Sequence, residues 1–119
     1  MRVILFQPRF AEMVKAGTKT QTIRCKARCK VGDKLSLRMW TGKPYRSKQE
    51  TLKEVVCTGV YIVSVELFGY QVNGGEYDSV SPDEFAQADG FKDFGEMALW
   101  FGITHGLPFS GELITWRKD

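Results

Sequence analysis

Within eight residues, Gly17-Thr18-Lys19-Thr20-Gln21-Thr22-Ile23-Arg24, this chain has to leave a helix and enter a strand. Upstream, Pro8 fixes φ for a first helical turn, Phe10, Met13 and Val14 fall at i, i+3 and i+4, and Gly17 is the permissive residue just past the end. That spacing predicts a helix over 8–16. From Thr20 the β-branched content rises. A strand over 20–25 puts Thr20, Thr22 and Arg24 on one side and Gln21 and Ile23 on the other. Lys19 stands in the turn beside the polar row, so a cation and two hydroxyls gather at one mouth of the fold, which suits a polar or anionic ligand.

The rest of the chain reads as strands at 2–6 and 34–40, a polar loop at 41–50, a long β-rich run at 54–66, and a glycine-marked hairpin or irregular loop at 67–80. Ser81-Pro82-Asp83-Glu84 is a capping box with proline at the first helical position, predicting a short helix over 82–88 that Asp89-Gly90-Phe91 stops. Phe94, Met97, Ala98 and Phe101 at helical spacing predict another over 92–102, and Glu112-Leu113-Ile114-Thr115-Trp116 reads as the closing strand. The order does not follow a βαβ pattern. Several non-local strands with a few short helices predict an α+β fold, a small, mostly β barrel with helices packed on its rim. At 119 residues, 43% of them hydrophobic, one domain over 1–119 is expected, long enough to bury roughly two thirds of its unfolded surface. No apolar run approaches the ~20 residues of a membrane helix, and Met1–Phe6 is too short for the apolar stretch of a signal peptide, so no membrane partner and a cytoplasmic setting are the expectation.

Charge divides the chain in two. Through Lys53 there are 14 basic residues against Glu12, Asp33 and Glu50, a balance of +11, while the remainder carries 3 basic and 11 acidic residues, a balance of −8. Such asymmetry points to an anionic partner for the first half, nucleic acid being the commonest. The competing reading is a self-neutralising protein whose acidic half folds back onto the basic one. Cys25, Cys29 and Cys57 cannot all pair within one chain and read as reduced thiols. With His105 the only histidine, a zinc site would need carboxylates to complete it, so no metal or other cofactor is expected.

The loop Thr41-Gly42-Lys43-Pro44-Tyr45-Arg46-Ser47-Lys48 carries Lys43, Arg46 and Lys48 with Tyr45 beside Trp40, suitable for phosphate contacts and for stacking on a base. A solvated loop with two interior aromatics is the plain alternative. Phe94, Trp100, Phe101 and Trp116 read as core from their helix or strand spacing, and His105, next to Gly106, as a loop residue.

Taken in order, Phe6, Gly17, Lys19-Thr20, Thr22, Arg24, then Gly32-Asp33-Lys34-Leu35, then Ala86-Gln87-Ala88-Asp89-Gly90-Phe91, and a last strand ending Ile114-Thr115-Trp116, the chain resembles the ASCH family. The likeness covers nearly its whole length. It implies a PUA-like pseudo-barrel whose cleft, lined by the lysine, threonines and arginine of the first motif, binds RNA or a modified nucleotide; Thr20, Arg24, Trp40, Lys43, Tyr45 and Arg46 are then the ligand-binding candidates. One branch of that family consists of small amidohydrolases that deacetylate N4-acetylcytidine. Their lysine, threonine and glutamate set is similar to Lys19, Thr22 and Asp89, with Thr22 the nucleophile, Lys19 the base and Asp89 the acid. A threonine hydroxyl needs a base to take its proton, and a lysine serves only when burial or a nearby cation such as Arg24 lowers its pKa. A metal-independent ribonuclease, in which Lys19 and Arg24 stabilise phosphorane-like charge, is a third implied activity.

Overall fold

A computed structural model describes residues 1–73 and 77–117. The strands are β1 (Arg2–Leu5), β2 (Gln21–Arg24), β3 (Lys34–Trp40), β4 (Gln49–Val65), β5 (Tyr70–Asn73) and β6 (Phe109–Trp116); the helices are α1 (Ala11–Ala16), α2 (Pro82–Ala88) and α3 (Phe94–Thr104). A 3-10 turn at Pro8–Phe10 leads into α1, so the predicted helix over 8–16 starts tight and then widens. Residues 74–76, which hold two of the three glycines that marked 67–80 as a hairpin or irregular loop, lie outside the described residues.

The expected α+β class is met by one mixed sheet, ordered β1-β3-β4-β6-β2 with β5 paired to β4. Among the described residues only β1 and β3 run parallel; α1 and β2 both lie between them in sequence, so the connection is not a simple helical crossover. Among the described residues no backbone ladder joins β1 to β2, and the sheet is open. Its two free ends are tied by a side chain instead: Arg24 Nη2 donates to the Leu5 carbonyl at 2.8 Å.

β4 is longer at its start than the β-rich run 54–66 predicted, and the polar loop is correspondingly shorter. Thr41 N–H donates to the Lys48 carbonyl at 2.9 Å, closing a hairpin that pairs Gln49–Lys53 with β3. All of those residues except Leu52 are polar or charged, so their hydrophobic pattern is too weak to mark a strand. β4 then passes from β3 to β6, with a bulge between Cys57 and Gly59 where it changes partner. A bulge adds local twist, and a Cβ at Gly59 would stand 2.5 Å from the Tyr61 ring, so a side chain there would require that ring to move. The closing strand starts at Phe109, three residues before the sequence suggested, because Phe109–Gly111 pair with Val65–Val63.

Alternate strand positions and one side of each helix meet in the core, where Leu35, Leu37, Val63, Val65, Leu113, Phe85 and Met97 are fully or almost fully buried. The helix starts follow local chemistry. Ser81 Oγ accepts from the Glu84 N–H at 3.2 Å and donates to Glu84 Oε1 at 3.1 Å, which fixes α2 where the capping box placed it. Asp93 is extended and accepts from the Glu96 N–H at 2.8 Å, so α3 begins at Phe94, not at Lys92. Among the described residues no helix is long and apolar enough to cross a membrane.

Candidate ligand-binding site

The site begins where α1 ends. Gly17 takes φ 80°, and the Thr18 and Lys19 N–H groups both turn back to the Met13 carbonyl, at 3.0 and 3.1 Å. This reversal sends Lys19-Thr20-Gln21 across the C-terminus of α2, where the Ala88 and Asp89 carbonyls have no helical partner and Phe85 O accepts from the Asp89 N–H. Each of the three residues supplies a donor: Lys19 Nζ to Asp89 O at 2.5 Å, Thr20 N–H to Ala88 O at 2.9 Å, and Gln21 Nε2 to Phe85 O at 3.5 Å. The motif therefore caps a helix end that lies 64–70 positions further along the chain.

Lys19 and Asp89 form a buried ion pair, Nζ to Oδ1 3.9 Å, with residue exposures of 2% and 4%. Gln21 Nε2 also donates to Asp89 Oδ1 at 3.4 Å. The lysine head lies near two rings, 4.8 Å from the Phe10 centroid and 5.5 Å from that of Phe6, a cation–π setting. Burial pushes the Lys19 pKa down to about 8; the Asp89 carboxylate opposes this, and Arg24 and Arg9 add to it. Burial likewise lifts Asp89 to about 6, against the pull of Lys19, the Gln21 hydrogen bond and Arg24. Both groups are thus moved toward neutral pH. Gly90, at φ 98°, makes room for the pair: a Cβ there would stand 2.8 Å from Phe10 and 3.2 Å from Lys19 Cδ.

Above this pair is a pocket of about 250 Å³. Lys19, Thr22 and Asp89 are its buried polar residues; Phe6, Phe10, Phe91 and Trp100 supply aromatic wall, and Gln7, Cys25 and His105 are its exposed members. Thr22 Oγ1 accepts from Arg24 Nε at 3.2 Å, and the Arg24 guanidinium lies 5.1 Å from the Phe6 centroid. A wider groove of about 790 Å³ crosses the outer face of α3, but among the described residues its one charged member, Asp83, already accepts from the Phe94 N–H.

Of the residues singled out in the sequence, Lys19, Thr22, Asp89 and Arg24 come together in this pocket. Lys19 is enclosed there and does not stand at an open mouth. Thr20 is half-buried, does not line the pocket, and contributes its backbone to the α2 cap. Trp40 lies in an adjoining depression, with its ring 5.2 Å from that of Tyr45; Lys43, Tyr45 and Arg46 are exposed on the same loop and line neither cavity.

Two residues take roles the sequence reading did not give them. Gln21, assigned to the side away from the polar row, is buried against Asp89. A glutamine alternating onto the apolar face of a strand is the signal that could have found it. Trp100, read as core, is half-buried and faces the pocket with His105, their rings 5.8 Å apart. As to charge, four ion pairs occur among the described residues, and only Arg9–Glu96 and Lys19–Asp89 link the basic half to the acidic half. Lys26, Arg28, Lys30, Lys43, Arg46 and Lys48 are exposed and form none. No three His, Cys, Asp or Glu side chains converge as a metal site among the described residues.

Compared with known proteins, the chain matches no family model, no curated protein and no solved structure.

Proposed function

We propose that this is an ASCH-type, PUA-like protein that binds a nucleobase, within RNA or as a modified nucleotide, in the pocket of Lys19, Thr22 and Asp89. The observation that carries this reading is the meeting of aromatic ring faces with convergent buried donors and acceptors in one small cavity. At about 250 Å³ it is below the usual range for drug-sized ligands and suits one planar base, stacked on Trp100 or Phe91 with its polar edge on Thr22 and the ion pair. The Arg24 bridge from β2 to β1 supports treating the open sheet as a pseudo-barrel. Lys26, Arg28, Lys30, Lys43, Arg46 and Lys48, exposed and in no ion pair among the described residues, supply phosphate contacts. Binding of single-stranded RNA should therefore weaken steeply with salt, with a log-log slope of roughly −0.7 per phosphate contacted. Undetectable or salt-independent binding would refute the proposal.

A second reading, an amidohydrolase acting on N4-acylated cytidine, is favoured by the shift of Lys19 and Asp89 toward neutral pKa values beside the Thr22 hydroxyl. In this reaction neutral Lys19 takes the Thr22 proton as Oγ bonds to the acyl carbon. The C–N bond then breaks as protonated Asp89 gives its proton to the exocyclic nitrogen. Water releases the carboxylic acid from Thr22 and restores its hydroxyl. Lys19 donates to the Asp89 carbonyl and Thr22 accepts from Arg24, so Lys19 must swing toward Thr22 before it can act as base. A chromatographic time course with N4-acetylcytidine decides: cytidine released by wild type and not by Thr22→Ala supports catalysis, and no release by wild type or Asp89→Glu rejects it. The ribonuclease reading has one histidine to draw on, His105 at the pocket mouth, and ranks below both.

A further inference from the structure

We infer that the protein takes single-stranded RNA of at least two nucleotides, the second base lying against Trp40 in a depression next to the pocket. The inference rests on the base-pocket reading above and extends it to the chemistry of the ligand. The second depression, about 280 Å³, shares Leu5, Phe6 and Gln7 with the pocket and adds Pro8, Trp40 and Pro44. One three-residue segment is thus the ridge between two small cavities that each have an aromatic wall. Adjoining sites of this kind match consecutive units of one strand.

Three features around the ridge fit a nucleotide linkage. Gln7 is exposed on the ridge, and its side chain makes no capping bond to the 3-10 turn that follows, so its carboxamide is free to meet a sugar or phosphate. Lys43 and Arg46, exposed on the adjacent loop, form no ion pair among the described residues. Tyr45 is 87% exposed, yet it adopts a left-handed φ of 64° with its ring against Trp40. A bulky residue in that region is disfavoured, and such outliers gather at ligand sites.

The loop that holds these groups is itself braced. Ser47 Oγ accepts from the Gly42 N–H at 3.0 Å and donates to the Lys43 carbonyl at 2.9 Å, and the Arg46 N–H donates to the same carbonyl at 3.1 Å. The Trp40–Tyr45 platform is therefore formed before any ligand arrives, which lowers the cost of ordering it on binding.

The test is an amide-shift titration of the full chain with the four ribonucleosides and their four homodinucleoside monophosphates, in wild type, Trp40→Ala, Gln7→Ala and Tyr45→Ala. Base–aromatic stacking predicts that the preferred dinucleotide binds about five- to a hundredfold more tightly than its nucleoside. Its titration should shift amides at 41–47 as well as those of Thr22 and Trp100. Trp40→Ala should bring the dinucleotide to within about twofold of the nucleoside while nucleoside affinity stays unchanged. Tyr45→Ala, at an exposed site, should reduce the same gain if Trp40→Ala fails to fold. Equal affinity for nucleoside and dinucleotide, or a gain that survives both aromatic variants, overturns the inference and leaves the base pocket standing. If no compound shifts Thr22 or Trp100, the reading of the pocket as a site for a base of RNA falls and takes this inference with it.

Discussion

Replacing Asp89 by asparagine keeps the shape of the side chain and its hydrogen bond from Gln21, and removes only the charge facing Lys19. At the observed 3.9 Å and an effective dielectric of about 20, the attraction lost is about 4 kcal/mol. Removing one partner of a buried pair costs about 3–5 kcal/mol, because the other charge is left without compensation. We expect a loss of about 3 kcal/mol at pH 7, which for a chain of this length lowers the melting temperature by roughly 10–15 °C. The loss should shrink between about pH 7 and 8 and then level off: without Asp89 the folded state already holds Lys19 neutral while the unfolded chain binds its proton, so the variant gains stability with pH there, and above about pH 8 the wild-type Lys19 also gives up its proton and both proteins gain alike. The assay is thermal unfolding of wild type, Asp89→Asn, Lys19→Met and the double variant. Since the double variant removes both buried charges, the cycle should return a coupling of about 2–4 kcal/mol. A coupling under about 0.5 kcal/mol would show that Asp89 does not compensate Lys19, and the electrostatic account of the site would be refuted.

Gly90→Ala should destabilise by about 1–3 kcal/mol in a chemical denaturation series, because the new methyl meets Phe10 at 2.8 Å and the backbone sits at φ 98°. Ser81→Ala, which removes the acceptor for the Glu84 N–H, should cost about 1 kcal/mol, and Ser81→Asp should restore most of it; melting temperatures check both. Wild-type stability should dip near pH 7. Asp89 has a raised folded pKa, so its contribution falls as pH rises from about 3.8 to 6, and Lys19 has a lowered one, so its contribution rises from about pH 8 to 10.5. The dip should vanish in the Lys19→Met/Asp89→Asn protein, as read from melting temperature against pH.

Local rules carried the reading where a few neighbouring residues decide the outcome. Ser81-Pro82 and Gly17 set helix ends by hydrogen bonds and backbone freedom within a turn or two, and both lie where their patterns put them. The motif residues Lys19, Thr22 and Arg24 could be proposed as a group because a four-residue strand holds two of them and Lys19 stands in the turn just before it. What stayed hidden depends on distant pairing. The polar start of β4 is a strand only because β3 lies beside it, and Gln21 is a site residue only because α2 ends above it. Trp100 has the same helical spacing as a core residue, and only the gap left between α3 and the end of β1 makes it a wall.

β4 belongs to both parts of the sheet at once, joined to β3 along its first half and to β6 and β5 along its second. Trp40 hangs from the end of β3, whereas Thr22 and Arg24 sit on β2, which reaches β4 only through β6. Peeling away either neighbour exposes one edge of the same seventeen-residue strand, so neither half retains a complete ladder of its own. The most protected amides of β3 and β6 should accordingly exchange with solvent through one shared opening, and the two cavities should be lost together as a single cooperative unit.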